Sequence, residues 1–270
     1  LPVLWQKAEI EYASYRLITL DVGMGTSVVV QTQSHSLVYD FGPGNDSGFS
    51  SADWVLKPYL RHEGISTPDL MIVSHVDQDH SGGFVSYREE YQPSRLVSGT
   101  PGELQTRFKL PLPVRSCHDY PDWIWDGVHF EFLTIGPTER AGSNNNRSCV
   151  LKISGFQTSL LAGDIESEQE GRLVTRYGQY LASNILIVPH HGSATSSSVD
   201  FVRRVNPEIA LFTLGKDNRW GFPKKTVVER YRSQASSIYR TDLDGAISID
   251  SRRQGLKIAS LRRNRPRYWH

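Results

Sequence analysis

Three short apolar runs in this 270-residue chain each stop at side chains able to ligate a metal. Residues 69–74 (DLMIVS) run into His75-Val76-Asp77-Gln78-Asp79-His80-Ser81-Gly82-Gly83. Leu160-Leu161-Ala162 runs into Gly163-Asp164, and residues 184–188 run into Pro189-His190-His191-Gly192-Ser193. A short, continuously apolar run predicts a strand covered on both faces. Ligands at the C-terminal end of such a strand stand on a rigid platform open to solvent, which suits a catalytic site. Taken singly, Asp164 reads as a turn or helix-capping residue, and an adjacent His pair is a weak signal. The recurrence is what constrains the chain.

Four potential ligands fall within residues 75–80. Imidazole and carboxylate together suit zinc, manganese or iron and not a thiolate site. The spacing predicts two adjacent divalent cations. His75, Asp77 and one of His190 or His191 would hold one; Asp79, His80 and Asp164 would hold the other, with Asp164 able to bridge. The remaining His of the pair would protonate a leaving alkoxide or contact a phosphate. Asp79, His190 and His191 are therefore the candidate catalytic residues. Two cations about 3.5–4 Å apart would activate water and clamp a phosphodiester for in-line attack.

Upstream, Leu20-Asp21-Val22-Gly23-Met24-Gly25-Thr26 fails as a phosphate-binding P-loop, because no Gly-Lys-Ser/Thr follows. Asp21 is expected to orient a ligand histidine, and Gly23 and Gly25 to permit a tight strand connection. Downstream, Lys216, Arg219, Lys224 and Lys225 are candidate contacts to a nucleic-acid backbone, with solvated surface as the alternative. Trp220 and Phe222 read as stacking on an unpaired base or as packing under the loop.

Strands are predicted at 15–21, 27–32, 36–40, 69–74, 128–135, 149–153, 158–162, 184–188, 208–214, 246–250 and 256–261. Helices are predicted at 51–62, 167–177, 196–205 and 224–233, while Gly142-Ser143-Asn144-Asn145-Asn146 reads as a polar loop. Strands come first, then strands alternating with helices, then strands again. With no repeat and no low-complexity linker, this predicts one α/β domain over 1–270, built as layered sheets with outer helices.

No apolar run approaches the roughly 18–20 residues of a membrane helix. The opening Leu1-Pro2-Val3-Leu4-Trp5-Gln6 does not read as a signal peptide, so the chain reads as a soluble piece of something longer. Two cysteines, Cys117 and Cys149, exclude a disulfide scaffold and a Cys-rich zinc module and leave the redox compartment open. Thirty basic residues face 29 acidic ones, but no Asp or Glu follows Asp250. Arg252, Arg253, Lys257, Arg262, Arg263, Arg265 and Arg267 carry the excess, leaving the rest at about −6. This tail, 252–270, ends in Tyr268-Trp269-His270. It reads as an arm for phosphates and a base, or as a solvated tail or last strand with a charged outer face.

Together these residues resemble the metallo-β-lactamase superfamily and, within it, the C-terminal hydrolase-like domain of the ComEC family of competence DNA-internalisation channels. The resemblance runs from Asp21 to about Asp250. Its carriers are Leu20-Asp21-Val22-Gly23-Met24-Gly25, the 74–83 loop, Asn146-Arg147-Ser148, Leu161-Ala162-Gly163-Asp164 and Val188-Pro189-His190-His191-Gly192-Ser193. Asp77 stands where most of the superfamily has a second His, a replacement shared by the competence-type branch. The resemblance implies an αββα sandwich with two divalent metal ions, Mn2+ or Zn2+, at its edge and no small-molecule cofactor. It also implies a membrane channel upstream in the same polypeptide and single-stranded DNA as partner. The expected function is a nuclease that degrades the non-transported strand on the outer face of the inner membrane. Two departures stand out. The third-motif His is missing, with Asn146 or Ser148 near its place. In Asn218-Arg219-Trp220-Gly221-Phe222-Pro223, Phe222 replaces a His and can neither ligate a metal nor pass a proton. The alternatives are a degenerate domain that only binds or guides DNA, and a metallo-hydrolase of another small phosphodiester.

Overall fold

Alternation along the strands sorts apolar side chains onto two faces, and both faces are covered. The computed structural model describes residues 9–45, 47–91, 95–111, 113–135 and 143–264. Six strands come first: β1 (Tyr15–Thr19), β2 (Val28–Gln31), β3 (Ser36–Tyr39), β4 (Leu70–Val73), β5 (Leu96–Ser98) and β6 (Arg115–Ser116). Then follow β7 (Trp123–Trp125), β8 (Val128–Phe132), β9 (Leu151–Ser154), β10 (Thr158–Leu161), β11 (Ile185–Ile187), β12 (Ile209–Phe212) and β13 (Ser237–Arg240). A final hairpin is β14 (Ile247–Arg252) and β15 (Gly255–Ser260). Among the described residues they form two mixed sheets, ordered β15-β14-β1-β2-β3-β4-β5-β6 and β13-β12-β11-β10-β9-β8-β7.

The continuous apolar character of β4 has a direct cause. Leu70 and Ile72 lie in the core between the sheets, with Leu17, Phe130 and Ile187. Met71 and Val73 pack on the other face, against Leu56, Phe84 and Leu104. Those partners come from a π-helical turn (Ala52–Leu56) leading into α1 (Lys57–His62), from α3 (Phe84–Glu90), which follows the short α2 (Gln78–Ser81), and from α4 (Pro101–Phe108). In β11, Leu186 faces outward onto Leu173, Phe201 and Tyr231. These belong to α5 (Ser167–Tyr177), α6 (Val199–Val205) and α7 (Lys225–Arg232). The architecture is therefore helix, sheet, sheet, helix: the expected αββα sandwich. Each fully buried Leu or Ile in these layers contributes about 1.5–3 kcal/mol.

Parallel pairing sets where the chemistry sits. β3 and β4 are parallel, as are β10, β11 and β12, so within each sheet their C-terminal ends open on one edge. Close backbone approach then locks the ligand loop. A Cβ on Gly82 would stand 2.3 Å from the Gly44 nitrogen, and one on Gly25 would stand 2.2 Å from the Asp79 carbonyl oxygen. Gly25, at φ +140°, lets Thr26 N–H donate to that oxygen at 3.1 Å, which is the tight connection expected of it.

Several predicted ends shift. The first helix begins as a π turn, with Pro58, which has no N–H to give, at the start of α1. The strand expected over 128–135 stops at Phe132, and α2, α3, α4, β5, β6, β7 and β13 lie where no element was expected. The chain continues after β13 into α8 (Thr241–Asp244) and ends its described part in α9 (Leu261–Asn264). The basic tail thus divides. Its described part is a last strand pair and a helical turn, with Arg252 paired to Asp250, Arg262 to Asp21 and Arg263 to Asp244. Arg265, Arg267, Tyr268, Trp269 and His270 lie outside the described residues, as do Leu1 to Gln6 and Gly142. Among the described residues no helix is long and apolar enough to cross a membrane.

Cys117 and Cys149 form a disulfide that joins the end of β6 in one sheet to the start of β9 in the other, 32 residues apart. Closing a loop of that length removes entropy from the unfolded chain, contributing about 3–4 kcal/mol. Reducing the bond in metal-free protein should lower the unfolding free energy measured in urea by that amount, and the midpoint with it. An unchanged midpoint would mean that the bridge does not form in solution.

Candidate metal centre

The ligand loop begins where β4 ends. His75 is fully buried; its Nδ1 lies 3.1 Å from Ser74 Oγ and 3.2 Å from Ser148 Oγ. Its Nε2 has no hydrogen-bond partner, although Asp77 Oδ2 stands 3.5 Å away. The other Asp77 oxygen accepts from Asn144 Nδ2. The neighbouring His75 ring is the main reason the Asp77 pKa is lowered, against the opposing effect of burial.

Asp79 and His80 follow on α2, and here the structure supplies a residue that sequence reasoning missed. Asp40, fully buried at the end of β3, accepts from Ser74 N at 2.6 Å, from Ser74 Oγ at 2.7 Å and from His80 Nδ1 at 2.7 Å. His80 therefore donates through Nδ1 and presents a lone pair at Nε2. His191 is held in the same sense: its Nδ1 lies 2.6 Å from the Thr213 carbonyl oxygen, which can only accept. The two Nε2 atoms face each other at 3.2 Å. Asp164 Oδ1 lies 3.0 Å from His80 Nε2, and Asp79 Oδ2 lies 3.2 Å from His191 Nε2. One ligand atom from each of Asp79, His80, Asp164 and His191 falls within 4.8 Å of all the others.

Neutral imidazoles in these tautomers make this an all-acceptor cage, and lone pairs and carboxylates at such distances repel unless a cation lies between them. Without a metal, protons do that work. Burial by itself would lower the His80 pKa, but Asp164 and Asp40 outweigh it and hold it well above the ordinary value. His191 is likewise raised, Asp164 and Asp79 overcoming burial. Burial would raise Asp79, yet the bond from His191 and the His80 charge bring it down to about 2. Asp164 is held well below the carboxylate range by His80 and His191 against the same burial. A divalent cation fits this donor set of two imidazoles and two carboxylates.

Backbone strain builds the His pair. His190 and His191 both lie in the left-handed region, at φ +51° and +52°, costing about 1–2 kcal/mol each. Gly192 follows at φ +82°, where a Cβ would stand 2.8 Å from both Phe212 and Pro223. The kink turns the two rings apart. His191 enters the cage, whereas His190 lies on a wall, its Nδ1 3.2 Å from Thr195 Oγ1 and its ring edge-on to Phe222. The cage opens into a cleft of about 540 Å³ whose lining includes Asp77, Asp79, Asp164, His190, Arg219 and Trp220.

A family model described as the metallo-beta-lactamase superfamily matches residues 20–215. The chain belongs to the metallo-β-lactamase superfamily. Competence protein ComA of Neisseria gonorrhoeae is 35% identical over 244 residues, 90% of this chain and 33% of that protein. Recombination protein 2 of Haemophilus influenzae is 29% identical over 249 residues, 92% of this chain and 30% of that protein. The chain thus spans about a third of the length of these curated relatives. Among solved structures, the metallo-beta-lactamase fold protein YhfI of Bacillus subtilis superposes with a TM-score of 0.51 at 12% identity, covering 84% of this chain and 96% of that one. That likeness speaks for the fold alone.

Within this metallo-β-lactamase site, some expected partners change. Where the spacing placed one of His190 or His191 with His75 and Asp77, His191 groups instead with Asp79, His80 and Asp164. Asp21 does not orient a histidine: its carboxylate pairs with Arg262 at 2.6 Å, and Asp40 takes that task. Asn146, near the missing third-motif His, spends its side-chain oxygen on Glu166 N–H. Ser148 bonds His75 and accepts from Asp164 N–H at 3.1 Å, tying the two sheets at the site. Arg219 lines the cleft, stacked 4.3 Å over the Trp220 ring, and Lys224 Nζ donates to the Trp220 carbonyl oxygen at 2.7 Å. Lys216 and Lys225 are exposed and do not line it. Phe49, half exposed, lines the cleft from the loop 43–50 and carries no local signal in the sequence.

Proposed function

We propose that this chain is the metal-dependent nuclease domain of a DNA-uptake channel, hydrolysing phosphodiesters of the strand that is not transported. The observation that carries the reading is the cage of Asp79, His80, Asp164 and His191, whose two histidines have their Nδ1 atoms committed and their lone pairs turned inward. A divalent cation held there supplies Lewis-acid charge to a phosphoryl oxygen and a strong nucleophile at neutral pH. His75, with its buried unpartnered Nε2, and Asp77 beside it would hold a second cation, with Asp164 available to both sets. Manganese or zinc suits both sets.

The chain's own residues do the rest. Asp40 and the Thr213 carbonyl oxygen hold His80 and His191 in fixed tautomers, and Ser148 holds the His75 ring in place. His190 is the residue we assign to protonating the leaving alkoxide; its support is a position on the cleft wall with Glu166 3.7 Å from Nδ1. Arg219 and Trp220 would receive a phosphate and an unpaired base. The names of the ComA and Recombination protein 2 relatives support DNA as substrate, and their greater length supports a channel portion elsewhere in the polypeptide. We take 1–270 as one domain, with 252–270 as its basic end. The Cys117–Cys149 disulfide supports an extracytoplasmic position on the outer face of the inner membrane.

Phe222 favours a second reading, a domain that guides DNA without cutting it, because it puts a hydrocarbon ring against His190. Linear single-stranded DNA incubated with and without manganese, beside an Asp79→Ala control, separates the two. Manganese-dependent degradation that the control lacks is the expected result. Intact DNA with metal bound would leave the guiding module or another phosphodiester.

A further inference from the structure

The cleft has a neighbour on the other side of the loop 43–50. Pro43, Phe49 and Gln78 line the cleft, whereas Gly44, Asn45 and Gly82 line a second pocket of about 330 Å³. Its remaining wall carries Arg88, Arg107 and Lys109 together with Val85 and Phe108, and no carboxylate lines it among the described residues. The two arginines are already anchored. Arg88 Nη1 donates to the Phe108 carbonyl oxygen at 2.5 Å, and Arg107 Nη1 donates to that of Val76 at 2.5 Å. Each guanidinium thus spends one nitrogen on main chain, and among the described residues its others have no hydrogen-bond partner. Lys109, in the left-handed position that ends α4, is exposed and has no ion pair there. Three cations with no counter-charge among the described lining residues, two of them held in place before any ligand arrives, match the fork geometry and charge of a phosphate.

We infer that this pocket is a phosphate subsite that holds the backbone of a single-stranded polynucleotide on the far side of the loop 43–50 from the metal ligands. The inference rests on the nuclease reading of the cleft and deepens it. A strand occupying both would cross Gln78, whose Nε2 fixes the loop by donating to the Gly44 carbonyl oxygen at 2.6 Å. Substrates too short to span the loop would use the cleft alone.

The test pairs Arg107→Gln/Lys109→Gln with the Lys109→Gln single variant, whose site is exposed and does not hold the loop. Binding of a labelled twenty-nucleotide oligothymidylate is followed by anisotropy across a salt series. In parallel, hydrolysis of that oligonucleotide and of a small nitrophenyl nucleotide ester is followed with manganese. In the double variant the oligonucleotide should bind about tenfold more weakly, with the salt slope reduced by about 0.7 for each phosphate no longer neutralised. The Lys109→Gln single variant should show part of both changes, with its kcat and KM for the small ester unchanged. Oligonucleotide affinity and slope equal to wild type, with cutting intact, would overturn the subsite and leave the nuclease reading standing. Charge-dependent binding without hydrolysis of either substrate would do the reverse. Weakened binding to phosphatidylglycerol vesicles with DNA binding unchanged would assign the pocket to lipid headgroups and overturn the inference.

Discussion

Replacing Asp164 by Asn is expected to weaken cation binding at the cage sharply while leaving the fold in place. The side chains are nearly the same size, and the Asp164 backbone bond to Ser148 Oγ does not depend on the carboxylate. What changes is charge and polarity: an amide brings a donor into a cage built of acceptors. Changing an outer partner of a ligand typically costs about 10–100-fold in metal affinity, so losing a ligand facing both His80 and His191 should cost more. Manganese titration by calorimetry reads this directly, and an unchanged affinity would mean the cation sits elsewhere. The pH dependence follows from the same charges. In the metal-free cage the His80 and His191 pKa values are raised, so cation entry must displace protons. Affinity therefore rises as pH rises through those folded values. The two imidazoliums stabilise the metal-free fold below the unfolded pKa, and that contribution is lost over the same rise.

Asp40→Ala should damage both the fold and the site. Its carboxylate accepts three hydrogen bonds in a fully buried position, so truncation strands Ser74 N–H and takes the charged acceptor from Ser74 Oγ and His80 Nδ1. Removing one partner of a buried, charge-assisted network costs about 3–5 kcal/mol. Urea unfolding of the metal-free variant would measure that loss. If the variant still folds, His80 is free to rotate or change tautomer, and metal affinity should fall by about 10–100-fold. A stability and affinity equal to wild type would remove Asp40 from the site.

Much of this arrangement was legible along the chain because the physical signals are local. Residues 69–74 had to be a doubly covered strand, since only two apolar faces accept Leu70 and Ile72 on one side and Met71 and Val73 on the other. Six of the ligand candidates followed from strand ends alone. The helices α3 and α4 were not legible, because each is anchored by only two buried positions, Phe84 and Tyr87, and Leu104 and Phe108. Too short for a clear period, they form because the outer face of β4 and β5 needs covering.

Sequence by itself determined the candidate ligand types, their strand-end platforms and the layered α/β architecture, since these rest on residue chemistry and on periods of a few residues. Tertiary structure alone decided which His of the pair enters the cage, through two left-handed residues and the Thr213 carbonyl oxygen. It alone replaced Asp21 by Asp40 behind His80, and joined Cys117 to Cys149 between the sheets. Each of those choices depends on a partner far along the chain, brought close only when the two sheets pack.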